Sequence, residues 1–515
     1  MYKFLKRGRV AVSILITVAV TLAFLFFSNR ETDLFNGFLK IQFVPALLGV
    51  FTGSAIILVL LTLLTLLFGR VYCSTICPLG TLQDATSRTA SLFKSKKSRR
   101  FKYSSPKNLM RYLILGAAGI PLIFGSSAVI SFLDPYSNYG KISSEITGRL
   151  EQYVHNLLST VFPDTIFFRS YSVFIAGSFI FALAFLILVL AMSALRGRLY
   201  CNTICPVGTL LGFISRFSAF KPEINRESCN KCTLCVTNCK AECIDLKNST
   251  IDESRCVGCL NCMTVCKKGA VTYKYSWKKR EEQNEVPANA ASDPVPASSG
   301  RRDALITLGL VGTFLAVKAV GKVAPLAAKP KKDGIAPPGA VSIDNLKSNC
   351  TACQACVTAC PNGIIKPATG EYGTDGLLMP VLSFDKHFCG YDCNVCTQVC
   401  PNGALIPLEI EEKRLTQIGK VRFNLKKCIV FTDKTDCGAC DEHCPTKAIT
   451  MIPWGEEGLF IPKVNRNICI GCGGCEYVCP AKEKAMIVEP NEVHAIAQKP
   501  KEEKQEKVKV DEFGF

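Results

Sequence analysis

Four long stretches without a charged residue, a CxxxCP element written twice and six groups of four cysteines predict a multi-domain chain. Its expected fold class is an α-helical membrane domain of four to five transmembrane helices joined to α+β ferredoxin-like iron-sulfur modules. The 515 residues include 29 cysteines, far above the ordinary load, so cysteine chemistry is the first thing to explain. Disulfide scaffolds belong to short secreted domains with irregular spacing, whereas most of these cysteines recur in CxxCxxCxxxC blocks. The net charge of +19 does not indicate nucleic acid, because the basic residues gather beside the apolar runs.

The charge-free stretches are Val10 to Phe27, Ile41 to Gly69, Tyr112 to Leu133 and Tyr171 to Leu195. At about 1.5 Å per residue, roughly 20 residues cross the hydrocarbon core, so each is a predicted span. No small-residue cleavage pattern precedes Asn29, and the first span reads as retained rather than as a signal peptide. Lys3, Lys6, Arg7 and Arg9 precede it; a basic run from Arg88 to Arg111 separates the second and third spans; Arg196 and Arg198 follow the fourth. The positive-inside bias puts these segments in the cytoplasm of a multi-pass protein of a bacterial inner membrane, with Ser28 to Lys40 and Asp134 to Arg169 outside.

"GRVYCSTICPLGTL" (69–82) and "GRLYCNTICPVGTL" (197–210) each stand behind an apolar run within the predicted membrane domain, residues 1–220. Two equivalent helix hairpins bring Cys73, Cys77, Cys201 and Cys205 to one membrane surface, the cytoplasmic one. Cysteines four apart share a face if the segment is helical. Four convergent thiols are candidates for catalytic redox chemistry, as two dithiols or as a metal site; simple packing of buried thiols is the alternative.

Residues 221–277 read as a cytoplasmic two-cluster ferredoxin domain. Cys229, Cys232, Cys235 and Cys239 form one CxxCxxCxxxC group and Cys256, Cys259, Cys262 and Cys266 a second. Three thiolates at this spacing wrap one cubane and the fourth serves the other cluster, which assigns Cys266 to the first trio and Cys239 to the second. Zinc favours two separated CxxC pairs instead. Lys240 and Lys267 replace the usual proline, and the extra Cys243 competes with Cys239 as ligand.

A Glu-, Asn-, Pro-, Ala- and Ser-rich linker (278–300) leads to a fifth apolar segment at 301–328, opened by Arg301 and Arg302. The arginine pair resembles a twin-arginine export signal, although Ala304 stands where such signals carry a larger apolar residue; a helix lying on the membrane is the alternative. Export would make residues 340–490 a periplasmic four-cluster ferredoxin domain. Cys350, Cys353, Cys356, Cys360 and Cys469, Cys472, Cys475, Cys479 are regularly spaced; Cys389, Cys393, Cys396, Cys400 and Cys428, Cys437, Cys440, Cys444 have enlarged first gaps. The outer groups are expected to pair with each other and the middle groups likewise, which brings the total to six 4Fe-4S clusters with iron held by these cysteines. "KCIVF" and "KAITMIP" suit hairpins and one-turn helices around clusters, and the clusters are expected to supply much of the folding energy. His387 and His443 adjoin ligand cysteines, but every group is complete without them; residues 491–515 read as a charged tail.

The order of parts resembles the membrane quinol dehydrogenase subunit (NapH-type) of periplasmic nitrate reductase systems over residues 1 to about 275, including the "LDPYSNYGKI" outer loop (133–142). The same half is similar, more broadly, to the membrane half of the nitrous oxide reductase accessory protein. The remainder resembles the exported four-cluster ferredoxin partner (NapG-type) of the nitrate systems, here fused. The resemblance implies oxidation of quinol from the membrane quinone pool, with electrons passed to a periplasmic reductase or redox protein. It also allows an electron donor for metalloenzyme maturation as an alternative; a further alternative, if the chain after Arg302 stays inside, is a cytoplasm-facing ferredoxin-quinone electron-transfer protein. No GxGxxG or phosphate loop points to a nucleotide or flavin, and none of the four histidines lies in a predicted span to hold haem. His155, in the outer loop, reads as a surface residue.

Overall fold

The computed structural model describes residues 1–25, 33–95, 101–165, 167–168, 174–277, 334–455 and 458–499. The linker, the twin-arginine-like segment and the chain beyond residue 499 lie outside these. Two described helices are long and apolar enough to cross a membrane, α1 (Tyr2–Leu25) and α6 (Ala176–Arg196). Neither of the other two predicted spans is one continuous helix. The second is divided into a turn of helix at Phe43–Leu48, a 3-10 turn and α2 (Ala55–Phe68), with Gly53 at a φ of +99° in the break. The third stops as α4 (Asn108–Ile123), which carries Pro121 in its last turn and Gly125 at a φ of +82° beyond it; Ala128–Leu133 then resumes. A charge-free run thus overstates helix length wherever glycine or proline interrupts the hydrogen-bond ladder. Outward faces are apolar: Val12, Ile14 and Leu15 on α1, Ile56, Val59 and Leu60 on α2, and Ile180, Ile187 and Leu188 on α6 are exposed.

Each CxxxCP element lies between two helices. In the first, a short turn at Tyr72–Thr75 gives way to α3 (Pro78–Phe93), with Cys77 as its extended N-cap and Pro78 at the first helical position. Proline has no N–H to lose there and its fixed φ starts the helix. The second copies this through Leu199–Thr203, Cys205 and α7 (Pro206–Ile214). The two cysteines of an element therefore do not share one helical face, as the i, i+4 spacing suggested; the proline splits them.

The first ferredoxin module closes with antiparallel β1 (Phe220–Ile224) and β2 (Val271–Tyr275). In the second, Ile365–Pro367 pairs with Pro380–Leu382, β3 (Thr416–Phe423) with β6 (Met486–Ile496), and β4 (Ile449–Trp454) with β5 (Leu459–Val464). "KAITMIP" forms β4, but "KCIVF" leads into the helical turn Ile429–Thr432. β6 continues to Ile496 and Gln498 N still donates to Asn467 O, so the tail begins later than residue 491. At the other end Ile335 O accepts from Leu382 N, which starts the module ahead of residue 340.

Both long helices run from one module to the other. Tyr2, at the start of α1, accepts from Tyr273 N of the first module at 3.2 Å, while Phe24 at its far end lies under Gly140, against Cys353 of the second. Antiparallel to it, α6 begins with Ser178 held by Gln354 Nε2 at 2.7 Å and ends where Arg198 N donates to Lys240 O at 2.9 Å. The 24 residues of α1 separate its two ends by about 36 Å. The second module is docked through α5 (Pro135–Ile142) and Ser127, whose Oγ donates to Lys347 O at 2.7 Å and also to Cys350 O. A Cβ at Gly140 would collide with Cys353 O and the Phe24 ring. Gly140→Ala is expected to cost about 1–3 kcal/mol by overpacking and to loosen this docking, read as faster proteolytic release of the second module with its iron content unchanged.

Candidate redox site

The CxxxCP elements build a site with pseudo-two-fold symmetry. Cys73, Cys77, Cys201 and Cys205 are all buried and face one another. Arg70, three residues before Cys73, reaches across to the other repeat and donates from Nη2 to Cys201 O at 3.1 Å. Arg198, three before Cys201, returns the contact from Nη1 to Cys73 O at 2.6 Å. Gly80 and Gly208 are required by these clasps, since a Cβ at either would strike the first cysteine's carbonyl in its own repeat and the guanidinium from the other. Gln83 Nε2 donates to Cys201 Sγ at 3.2 Å, Gly208 N to Cys205 Sγ at 3.2 Å, and Arg70 Nη2 lies 3.9 Å from Cys73 Sγ. Tyr72 and Tyr200 anchor the repeats outward, to Gln42 Oε1 at 3.1 Å and Leu133 O at 2.8 Å.

Charge in this core is uneven. Arg198 pairs with Asp84 at 2.7 Å, and Lys240 of the first module takes the other carboxylate oxygen. Burial alone would raise the Asp84 carboxyl, but these two cations hold it well below the usual range. Arg70, fully buried, binds only neutral groups, among them Asn202 Oδ1 at 3.0 Å and Ser254 O at 2.8 Å, and its Nε has no acceptor. Burial pushes the Cys73, Cys77 and Cys205 thiols up, and Arg70 and Arg198 only partly offset this at Cys73, so a thiolate set here needs a bound metal or a redox step to take its protons. From sequence Arg198 reads as a topology charge; the usable signal is that Gly-Arg precedes Tyr-Cys in both repeats.

The ferredoxin modules bring their cysteines together in sets. Cys239 of the first group joins Cys256, Cys259 and Cys262, with Cys243 beside them. Cys229, Cys232 and Cys235 neighbour one another, and the turn leading to Cys266, α8 (Asn261–Val265), packs on the Leu234–Thr237 turn that carries Cys235. In the second module Cys360 joins Cys389, Cys393 and Cys396, while Cys400 joins Cys350, Cys353 and Cys356. Cys479 joins Cys428, Cys437 and Cys440, and Cys444 joins Cys469, Cys472 and Cys475. The nested pairing of outer with outer and middle with middle groups is therefore corrected: consecutive groups exchange their fourth cysteines. Cys389 N donates to Cys472 O at 2.9 Å, which joins the two pairs edge to edge.

The backbone suits clusters. In each regular group the residues flanking the second cysteine have positive φ: Lys231 and Thr233, Gly258 and Leu260, Ala352 and Gln354, Gly471 and Gly473. Such left-handed residues turn successive N–H groups inward into an anion-binding nest. Among the described residues no three His, Cys, Asp or Glu close around a single ion; in a cubane each thiolate binds its own iron, so its ligands stand further apart than those of a lone metal. Burial pushes the Cys353, Cys440 and Cys472 thiols up to about 12, the cost that iron binding must overcome. Cys239 moves the other way, to about 7, because the Cys243 thiol and nearby amides point at its sulfur against the effect of burial. His387 stacks on Tyr477, His443 Nδ1 contacts Ala439 O at 3.0 Å, and exposed His155 contacts Phe167 O at 3.1 Å.

Family models agree with this class. A 4Fe-4S binding domain matches residues 50–100 and 178–225, which hold the CxxxCP elements; another matches 249–272 and 346–366, and a 4Fe-4S dicluster domain matches 435–482. The chain is thus a ferredoxin-type iron-sulfur protein, of the electron-transfer class, with multiple 4Fe-4S binding domains. Among curated proteins it is similar to the ferredoxin-type protein NapF of Escherichia coli (strain K12), 29% identical over 27% of this chain and 76% of that one. It is also similar to the putative electron transport protein YccM of the same strain (26%, over 37% of this chain and 46% of that one) and to the regulatory protein NosR of Stutzerimonas stutzeri (24%, over 38% and 22%). No solved structure matches.

Two outcomes are expected. Asp84→Asn leaves Arg198 and Lys240 facing a neutral amide and is expected to destabilise the core around the four thiols by about 3 kcal/mol in denaturant titration. Because the carboxyl is held low, its contribution is fully present above about pH 3.9 and is lost as pH falls through the folded value; the variant lacks that acid-dependent step. Cys360→Ser and Cys393→Ser are expected to give the same electron paramagnetic resonance difference spectrum, and Cys353→Ser a different one; nested pairing predicts otherwise.

Proposed function

We propose that the chain is a membrane-bound polyferredoxin carrying electrons from membrane quinol to a periplasmic reductase or redox protein, with the CxxxCP thiols as the relay between two cluster-bearing modules. The observation that carries this reading is that the two modules cap opposite ends of α1 and α6, with the four-thiol site between them. The exposed apolar faces of α1, α2 and α6 suit hydrocarbon, in a bacterial inner membrane with the second module outside. The 24 grouped cysteines are the proposed iron ligands of six 4Fe-4S clusters, which carry single electrons when bound.

The chain's own residues supply the connections. Ser254, two residues before Cys256, accepts from Arg70, so the first module's loop is tied to the thiol site. On the other side Tyr200 is hydrogen-bonded to Leu133 O, and Tyr136 of the adjoining α5 lies against Cys353. These contacts shorten and stiffen the path on both sides. The resemblance to the nitrous oxide reductase accessory protein keeps a second reading, in which the same relay feeds maturation of a metalloenzyme.

Thiol-reagent labelling of a cysteine added after Pro330, read against the same chain without it, is expected in intact spheroplasts and not in sealed inverted vesicles. In Cys73→Ser/Cys201→Ser chains the grouped clusters should keep their iron, while quinol-driven reduction of the second module falls at least roughly tenfold. Undiminished reduction in that variant, or labelling only from the cytoplasmic side, defeats the proposal.

A further inference from the structure

Cys243 is the one cysteine outside the six groups and the two CxxxCP elements. It is 2% exposed, its Sγ lies 3.6 Å from Cys239 Sγ, and it also faces Cys256. The residue four after a group's last cysteine is a buried apolar one elsewhere: Ala270, Ile364, Ala404 and Ala448, all 3% exposed or less. After Cys479 the chain differs, and Ala485 takes this place with its N–H 3.4 Å from Cys479 Sγ. The slot is built the same way each time, with a backbone N–H near it pointing at the ligand sulfur, as from Ala448 N to Cys444 Sγ at 3.2 Å and from Leu405 N to Cys400 Sγ at 3.4 Å.

Cys239 sits in this same cradle, receiving the amides of Ala241, Glu242 and Cys243. It therefore has the surroundings of a fourth ligand, and Cys243 has the place of the alanine. Only here does the slot carry a side-chain donor. Its position is stiff: Cys243 O accepts from Asp252 N at 2.8 Å at the mouth of the Ile244–Asp245/Thr250–Ile251 hairpin, and Ala241 O accepts from Asn202 Nδ2 at 3.0 Å. The second of these contacts ties the loop to the CxxxCP core.

We infer that Cys243 is not a ligand but a tuning residue, whose S–H donates to the sulfurs of Cys239 and Cys256 and raises the reduction potential of the cluster they hold, the one nearest the CxxxCP site. Reduction adds negative charge that spreads onto the ligand sulfurs, and a donor aimed at those sulfurs stabilises the reduced form more than the oxidised one. At the other described fourth-ligand sites the slot itself carries no side-chain donor; Thr446 Oγ1 lies 3.7 Å from Cys444 Sγ but stands two residues after that ligand, outside the slot. The inference rests on the ligand assignment proposed above, but not on quinol, on membrane sidedness or on any acceptor.

The test is a spectroelectrochemical titration of the purified full-length chain, wild type against Cys243→Ala, which installs the residue the chain itself uses at three equivalent positions. Iron content is expected to stay the same, and one cluster's midpoint is expected to move negative by about 59 mV, a tenfold change in a one-electron equilibrium. Cys243→Ser, which keeps a donor, should recover part of the shift. Loss of about one cluster's iron in Cys243→Ala with retention in Cys239→Ala makes Cys243 the ligand and overturns the inference. Unchanged iron with an unchanged midpoint overturns it too, leaving Cys243 as packing. Failure of the ligand assignment shows separately, because Cys259→Ser would then keep full iron.

Discussion

Everything between the two ferredoxin modules depends on two buried guanidinium groups. Arg70 and Arg198 each leave their own repeat and hold the first cysteine's carbonyl in the other. A swapped contact of this kind makes the repeats inseparable, since pulling one away strands two charges in a low-dielectric core at a cost of several kcal/mol each. The Pro-x-Gly that follows each CxxxC is a consequence. Proline starts the next helix without wasting a hydrogen bond, and glycine makes room for the incoming arginine. Of the two, Arg198 is balanced by Asp84, and Arg70 lies beside Cys73, where it offsets part of the burial that pushes that thiol up.

Consecutive pairing of the cysteine groups in the second module follows from chain economy. Closing a short loop costs less entropy than closing a long one, and a dicluster unit needs only two neighbouring groups with a hairpin between them. The nested alternative would require residues 350–360 and 469–479 to meet across the whole module. Consecutive units also leave each pair with one cysteine loop on its flank, and Cys389 meets Cys472 there. The end docked on the helical domain is the set containing Cys350, and the set containing Cys428 lies at the other end of the order, behind the enlarged loop that carries Phe431.

The cysteine groups, the exchange of fourth cysteines and the convergence of the CxxxCP elements were legible because each depends on local spacing. What was not legible depends on long-range contact. Arg198 looked like a topology charge since its partner, Cys73, is 125 positions away. The broken second and third spans escaped because hydropathy counts apolar atoms and is blind to Gly53, Pro121 and Gly125, which decide whether the ladder continues. The end of β6 escaped for a similar reason: "NEVHAI" is too polar to announce a strand, and it is held by distant partners, Val493 by Ser342 and Ala495 and Ile496 by β3 beyond a shift in register.

The repeats have diverged where they meet different neighbours. The positions after the shared Gly-Thr-Leu read Gln83-Asp84 in the first and Leu211-Gly212 in the second. Gln83 and Asp84 turn toward Cys201 and Arg198, and Asp84 also binds Lys240, so the first repeat grips the module's Cys239 loop through charge. Gly212 does the opposite: a Cβ there would collide with Ser254 O, so its lack of a side chain lets the module's other ligand loop press against the second repeat, where Arg70 and Arg111 bind that oxygen. Symmetry is thus kept at the thiols and given up one turn further on, where a two-fold core has to hold a single, asymmetric ferredoxin module in one orientation.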